Sequence, residues 1–187
     1  MSALRMRCER SQLLLVDLQE RLVPAIDSYE ALAGSAERLA KYAVRLGVPV
    51  TISEQYPKGL GPTLGAIRVA AGTEAVTLAK VEFSCGANAG LAARLASLKS
   101  EGRTQVVVAG VEAHVCVLQT VLDLVAAGFD VFVAADAVGS RRAESKALAL
   151  SRMQGAGAVI ADSEMVAFEW LECAGTPEFR DVQALLK

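Results

Sequence analysis

Gln105-Val106-Val107-Val108-Ala109-Gly110-Val111-Glu112-Ala113-His114-Val115-Cys116 is the stretch that decides the fold. Its first half is short, apolar and rich in β-branched residues, which reads as a buried strand of a parallel sheet over 105–110. A brief turn follows, then a helix expected over 114–127 that Gly128 stops. Strand, turn and helix in that order make half of a βαβ unit. Two more apolar runs carry the same signature and also end on reactive side chains. Leu13–Val16 runs into Asp17, and Ala75–Ala79 runs into Lys80.

Outward from these runs the pattern alternates. Strands are expected at 12–17, 48–53, 75–80, 105–110, 129–134 and 158–161. A helix runs from Ser28, read as its N-cap, to 46, where Gly47 ends it. Others are expected at 87–100, 114–127, 142–154, 163–171 and 177–186. Residues 54–62 form a polar loop rich in proline and glycine. Strands alternating with helices of this length predict right-handed crossovers and a doubly wound parallel sheet of six strands. The expected architecture is a three-layer α/β/α sandwich, one α/β domain over 1–187.

Composition supports a globular chain with a sizeable core. The 187 residues are 53% apolar and 21% charged, with a formal net charge of -2. No basic stripe interleaved with aromatics is present, so no nucleic-acid partner is expected. No apolar run approaches the roughly 20 residues that span a bilayer, so no membrane partner is expected. Arg5, Arg7 and Arg10 precede an apolar stretch, but that stretch is short, contains Asp17 and lacks a small-residue cleavage site. A cytoplasmic location is expected. Cys8, Cys85, Cys116 and Cys173 are widely spaced, with no CxxC pair, and read as free thiols.

In an open α/β sheet, ligands bind at the carboxyl ends of the strands. Asp17, Lys80 and Cys116 are each delivered to that edge by a different strand. At a helix start, backbone amides and the dipole favour a thiolate at Cys116, and a nearby ammonium at Lys80 would lower the thiol pKa further. Asp17 can take the thiol proton and pass it to a leaving group. Each residue also has a plainer reading: a small core thiol, a capping or loop carboxylate, an exposed strand-end lysine. Gly110–Ala113 reads either as a tight turn aiming amides at a carbonyl over Cys116 or as an ordinary βα loop. His114 is the only histidine, and two residues from Cys116 on a helix it points about 200° away. It reads as a pocket-edge or interface residue, not as the general base. With one histidine, no HExxH and no zinc spacing of cysteines, no metal site is expected. The glycines at 59–65, 86, 90 and 155–157 fit neither a P-loop nor GxGxxG, so no nucleotide cofactor is expected.

Val16-Asp17-Leu18-Gln19, Lys80 with Phe83-Ser84 after it, and Gly110-Val111-Glu112-Ala113-His114-Val115-Cys116-Val117 stand in the order of three family motifs. With them the chain resembles the isochorismatase-like cysteine hydrolase superfamily. Residues 54–62 and 136–141 look like the subgroup of isochorismatase domain-containing proteins. The resemblance implies the strand order 3-2-1-4-5-6 and a catalytic triad of Asp17, Lys80 and Cys116. It also implies a cis peptide between Val111 and Glu112, and an oxyanion hole from the amides of Glu112 and Cys116. Nicotinamidases of the superfamily carry an Asp/His metal cluster after strand two, where this chain has Glu54-Gln55-Tyr56. Isochorismate hydrolases typically lack the cysteine that this chain has at position 116. Neither activity is therefore expected.

The resulting expectation is a covalent hydrolase acting on a small amide or a related C–N bond, with Gln19, Tyr56, Phe83 and Val115 lining the pocket. The alternative is a catalytically silent binding or interaction protein on the same fold. A homo-oligomer, dimer or tetramer, is expected from the apolar content of the helices, with the helix after Cys116 and residues 136–142 as interface segments.

Overall fold

A computed structural model of the chain describes residues 5–186; residues 1–4 and 187 of the expected domain lie outside this range. The apolar runs form β1 (Ser11–Val16), β2 (Val50–Gln55), β3 (Val76–Lys80), β4 (Gln105–Val111), β5 (Asp130–Gly139) and β6 (Val159–Ala161). All pair in parallel, in the order β3-β2-β1-β4-β5-β6. Every residue of β1 is buried, because Leu13–Val16 has β2 on one side and β4 on the other.

Side chains alternate across the sheet, and each face has its own core. Leu13, Leu15, Val107, Ala109 and Phe132 pack with α1 (Tyr29–Arg45), α3 (Gly65–Ala71), α7 (Ser163–Leu171) and α8 (Pro177–Leu185). Leu14, Val16, Val106, Val108 and Val133 pack with α4 (Ala89–Ser100), α5 (Leu118–Ala126) and α6 (Ala143–Gly155). The result is the expected three-layer α/β/α domain. Among the described residues no helix is long and apolar enough to cross a membrane.

Several local expectations are corrected. Ser28 precedes α1, but it is left-handed at φ 53° and its side chain makes no capping bond. Capping by a serine needs the extended conformation, which this turn does not allow. The single turn α2 (Pro57–Leu60) falls inside the loop expected over 54–62, and α3 falls in a stretch for which no element was expected. α3 is too short for periodicity to reveal and is held by burial of Ile67, Ala70 and Ala71. β5 continues to Gly139, its register against β4 shifting between Val108 and Gly110. The helix expected from 114 begins at Leu118, because Ala113–Val117 winds as a wider π turn in which the Val117 amide reaches the Glu112 carbonyl at 3.1 Å.

Gly110 sets the closeness of the two central strands. Its φ is +122°, and a Cβ there would lie 2.0 Å from the Val16 carbonyl oxygen. Only glycine lets β4 press against the end of β1, one residue before Asp17.

Candidate active site

Asp17 follows β1 in the left-handed region, at φ 52°, and is fully buried. Aspartate tolerates that conformation better than most residues. Its two oxygens have separate donors: the Ser53 hydroxyl reaches Oδ1 at 2.7 Å and Lys80 Nζ reaches Oδ2 at 2.7 Å. Lys80 lies on the edge strand β3 and reaches over the end of β2. Its ammonium also donates to Gln55 Oε1 at 2.6 Å and to the Phe83 carbonyl at 3.2 Å. Its three protons thus have three acceptors, and neither side chain of the Lys80–Asp17 pair is exposed. The reading of Lys80 as an exposed strand-end lysine is thereby excluded.

Cys116 lies in the π turn and is 5% exposed. Burial pushes its thiol up to about 12, and the charge of Asp17 and a hydrogen bond to it push the same way, with Lys80 opposing. This corrects the expectation of an acidic thiol. A helix start favours a thiolate, but this sulfur is buried, and the Lys80 charge already faces a carboxylate. Burial and the Asp17 charge both favour the protonated thiol.

Several residues of the site were not expected. Ser53 and Gln55 sit on β2 between the strands of Asp17 and Lys80, with Gln55 in register with Lys80. Cys85 is fully buried, its amide bonded to Thr120 Oγ1 at 2.9 Å. Burial and then the Asp17 charge raise its thiol, against hydrogen bonds with Ser53 and Thr120. The polar ending Ser53-Glu54-Gln55 on an otherwise apolar strand was the one signal available for any of these.

Gln19 corrects another expectation. It is fully buried, and its amide nitrogen donates to the Gln55 and Gly61 carbonyls (3.0 and 2.7 Å) while its oxygen accepts from the Gln55 amide (2.8 Å). It ties the end of β1 to the β2 loop and has no donor left for a substrate. Tyr56, 55% exposed, lines a cleft beside Lys80 with Val81, Glu82 and Asn88. Phe83 is 54% exposed, and Val115 is half-buried.

The peptide between Val111 and Glu112 is cis. The Glu112 carboxylate accepts from Arg141 Nε at 2.9 Å. His114 Nδ1 pairs with Ser140 Oγ at 2.9 Å, and its ring lines a second cleft with Arg141, Arg142 and Ser145. Among the described residues no three His, Cys, Asp or Glu side chains stand close enough to hold a metal ion.

A family model described as the Isochorismatase domain matches residues 11–165. The chain belongs to the isochorismatase family. Its match spans Asp17, Lys80, Cys116 and the π turn. Isochorismatase domain-containing protein 1 of Danio rerio is 38% identical over 171 residues, covering 91% of this chain and 59% of that relative. The chain thus spans well under two thirds of that protein's length. A solved structure of MAR1 ribonuclease from Caenorhabditis elegans matches with a TM-score of 0.90 at 32% identity, over 97% of this chain and 92% of that one. The ycaC gene product of Escherichia coli, an octameric hydrolase of unknown specificity, matches with a TM-score of 0.86 at 25% identity, over 100% of this chain and 89% of that one. Isochorismatase-family proteins are in general hydrolytic.

Proposed function

We propose that this isochorismatase-family protein is a cysteine hydrolase that cleaves a small amide or related C–N bond. The observation that carries the reading is one buried carboxylate, Asp17, held by the Lys80 ammonium at 2.7 Å and near enough to Cys116 for its charge to act on the thiol.

The substrate carbonyl sits over Cys116. As sulfur attacks carbon, Asp17 takes the thiol proton, and the carbonyl oxygen becomes an oxyanion held by the amides of Glu112 and Cys116. The C–N bond breaks as Asp17 returns that proton to nitrogen, and ammonia or an amine leaves. Water then attacks the thioester and gives its proton to Asp17. The acid departs, and the proton returns to sulfur. Lys80 holds Asp17 in place throughout, and the cycle uses no metal or cofactor. Tyr56, Phe83 and Val115 are proposed to contact the substrate.

Screening a small-amide library with wild type and Cys116→Ala side by side tests this. Wild type should release amine and form a mass adduct on Cys116, and the variant should do neither. Turnover that survives Cys116→Ala would sink the mechanism. A silent binding protein is the second reading, favoured by a Cys116 thiol that is only 5% exposed and pushed up to about 12. Substrates that bind wild type without turnover would establish it. RNA belongs in the same screen, since one structural relative is described as a ribonuclease. We further propose a cytoplasmic homo-oligomer, which light scattering and fractionation would read.

A further inference from the structure

The cleft beside the nucleophile turn has a composition that amide chemistry alone does not require. It encloses about 340 Å³ and is lined by His114, Arg141, Arg142 and Ser145. His114 belongs to the Ala113–Val117 turn, two residues from Cys116, and Arg141 and Arg142 follow β5, the neighbour of β4 in the sheet. Cleft and nucleophile therefore share one sheet edge.

The lining is nearly all donors. His114 Nδ1 is engaged by Ser140, so Nε2 is the ring's remaining polar atom. Arg141 gives Nε to Glu112 and keeps its terminal nitrogens. Arg142 has no ion-pair partner among the described residues and is exposed. Two guanidinium groups line the cleft with no carboxylate among its lining residues, and only Arg141 is paired, with Glu112, so the lining is net positive. A planar guanidinium fork matches a carboxylate or phosphate group, and a neutral or apolar group would leave these donors without acceptors.

We propose that this cleft seats a single oxyanion group, carboxylate or phosphate, on the small molecule that Cys116 acts on. The proposal rests on the hydrolase reading for its link to Cys116 and on the cleft itself for anion binding. A small molecule is favoured over a nucleic acid, because the chain carries net charge -2 and this cleft holds one anion, not a track of phosphates.

Two measurements test it on the full chain. Calorimetric titration with malonate and with inorganic phosphate should show binding of at least one to wild type. The tighter of the two names the group. Arg142→Gln should weaken that binding about tenfold, and Arg142→Lys should restore most of it. No binding to wild type, or equal binding to Arg142→Gln, overturns the proposal. Alkylation supplies the link to Cys116. The iodoacetate to iodoacetamide rate ratio at Cys116, read by peptide mapping, should fall about tenfold in Arg142→Gln while the iodoacetamide rate holds. An unchanged ratio would mean that the cleft does not serve the thiol. If Cys116 reacts with neither reagent while Arg142-dependent malonate binding persists, the hydrolase reading fails and the anion seat stands alone. An RNA oligonucleotide that binds more tightly than both small anions, and loses that binding in Arg142→Gln, would overturn the small-molecule assignment.

Discussion

Ser53 and Lys80 donate to the two oxygens of Asp17, and the charge of the same carboxylate acts on the Cys116 thiol. Opposite effects on the thiol follow from changing its two charged neighbours. Asp17→Asn removes a nearby negative charge and an acceptor that both hold the proton on sulfur, so the thiol pKa should fall from about 12. Lys80→Met removes a nearby cation that lowers the thiol pKa and should raise it. The pH dependence of Cys116 alkylation by iodoacetamide reads both. Turnover in Asp17→Asn should still drop by about a hundredfold or more, because a more acidic thiol does not replace a lost proton carrier. A thiol pKa that rises in Asp17→Asn would contradict this electrostatic account. Asp17 and Lys80 were legible because each ends an apolar run, and Cys116 because it follows one across a short turn. Ser53, Gln55 and Cys85 were not, because their roles depend on β2 lying between β1 and β3. The acidity of Cys116 was misjudged for a similar reason. Sequence shows a helix start, but not how deeply the sulfur is buried or that Lys80 is already paired.

At the scale of elements, the contact between β4 and β1 has its tightest point at Gly110. Gly110→Ala would drive a methyl group against the Val16 backbone, where a Cβ meets oxygen at 2.0 Å and nitrogen at 2.6 Å. Backbone cannot swing aside as a side-chain tip can. The expected cost is about 3 kcal/mol or more in urea unfolding, with faster alkylation of Cys116 as the turn loosens. Gly155→Ala is the control. Nothing lies within 4 Å of its Cβ position at the end of α6, so stability should stay within about 1 kcal/mol of wild type. Equal losses in the two variants would mean that Gly110 is not a special contact. The strands and long helices were readable from apolar period and glycine stops. α3 and the π turn were not: one is held by burial, and the other differs from an α start only by a wider winding that no residue type marks.

For the molecule as a whole, burial leaves several groups holding their protons more tightly than in an unfolded chain. Burial raises Cys8 to about 11 and Cys116 to about 12, and it also raises Cys85 and Tyr42. A thiol in the unfolded chain ionises near 9.0. The folded chain binds more protons above that point, so stability is fully present below it and declines as pH rises past it. Each thiol contributes up to about 1.4 kcal/mol per pH unit over its window. Melting temperature should fall steeply between about pH 9 and about pH 11, and less steeply in a Cys8→Ser, Cys116→Ser double variant. Identical slopes would assign the alkaline loss elsewhere. The three-layer plan was legible from alternation alone, whereas the strand order rested on family resemblance, because short parallel strands carry little sign of their neighbours. That order also bears on synthesis. The ribosome delivers β1, β2 and β3 first, and until Gln105–Val111 has emerged the wholly apolar middle of β1 has one bare edge, a template for any stray strand. During that interval the nascent polypeptide holds Asp17 and Lys80 but not Cys116, so a chain stalled before Val111 is sticky while its candidate site is incomplete.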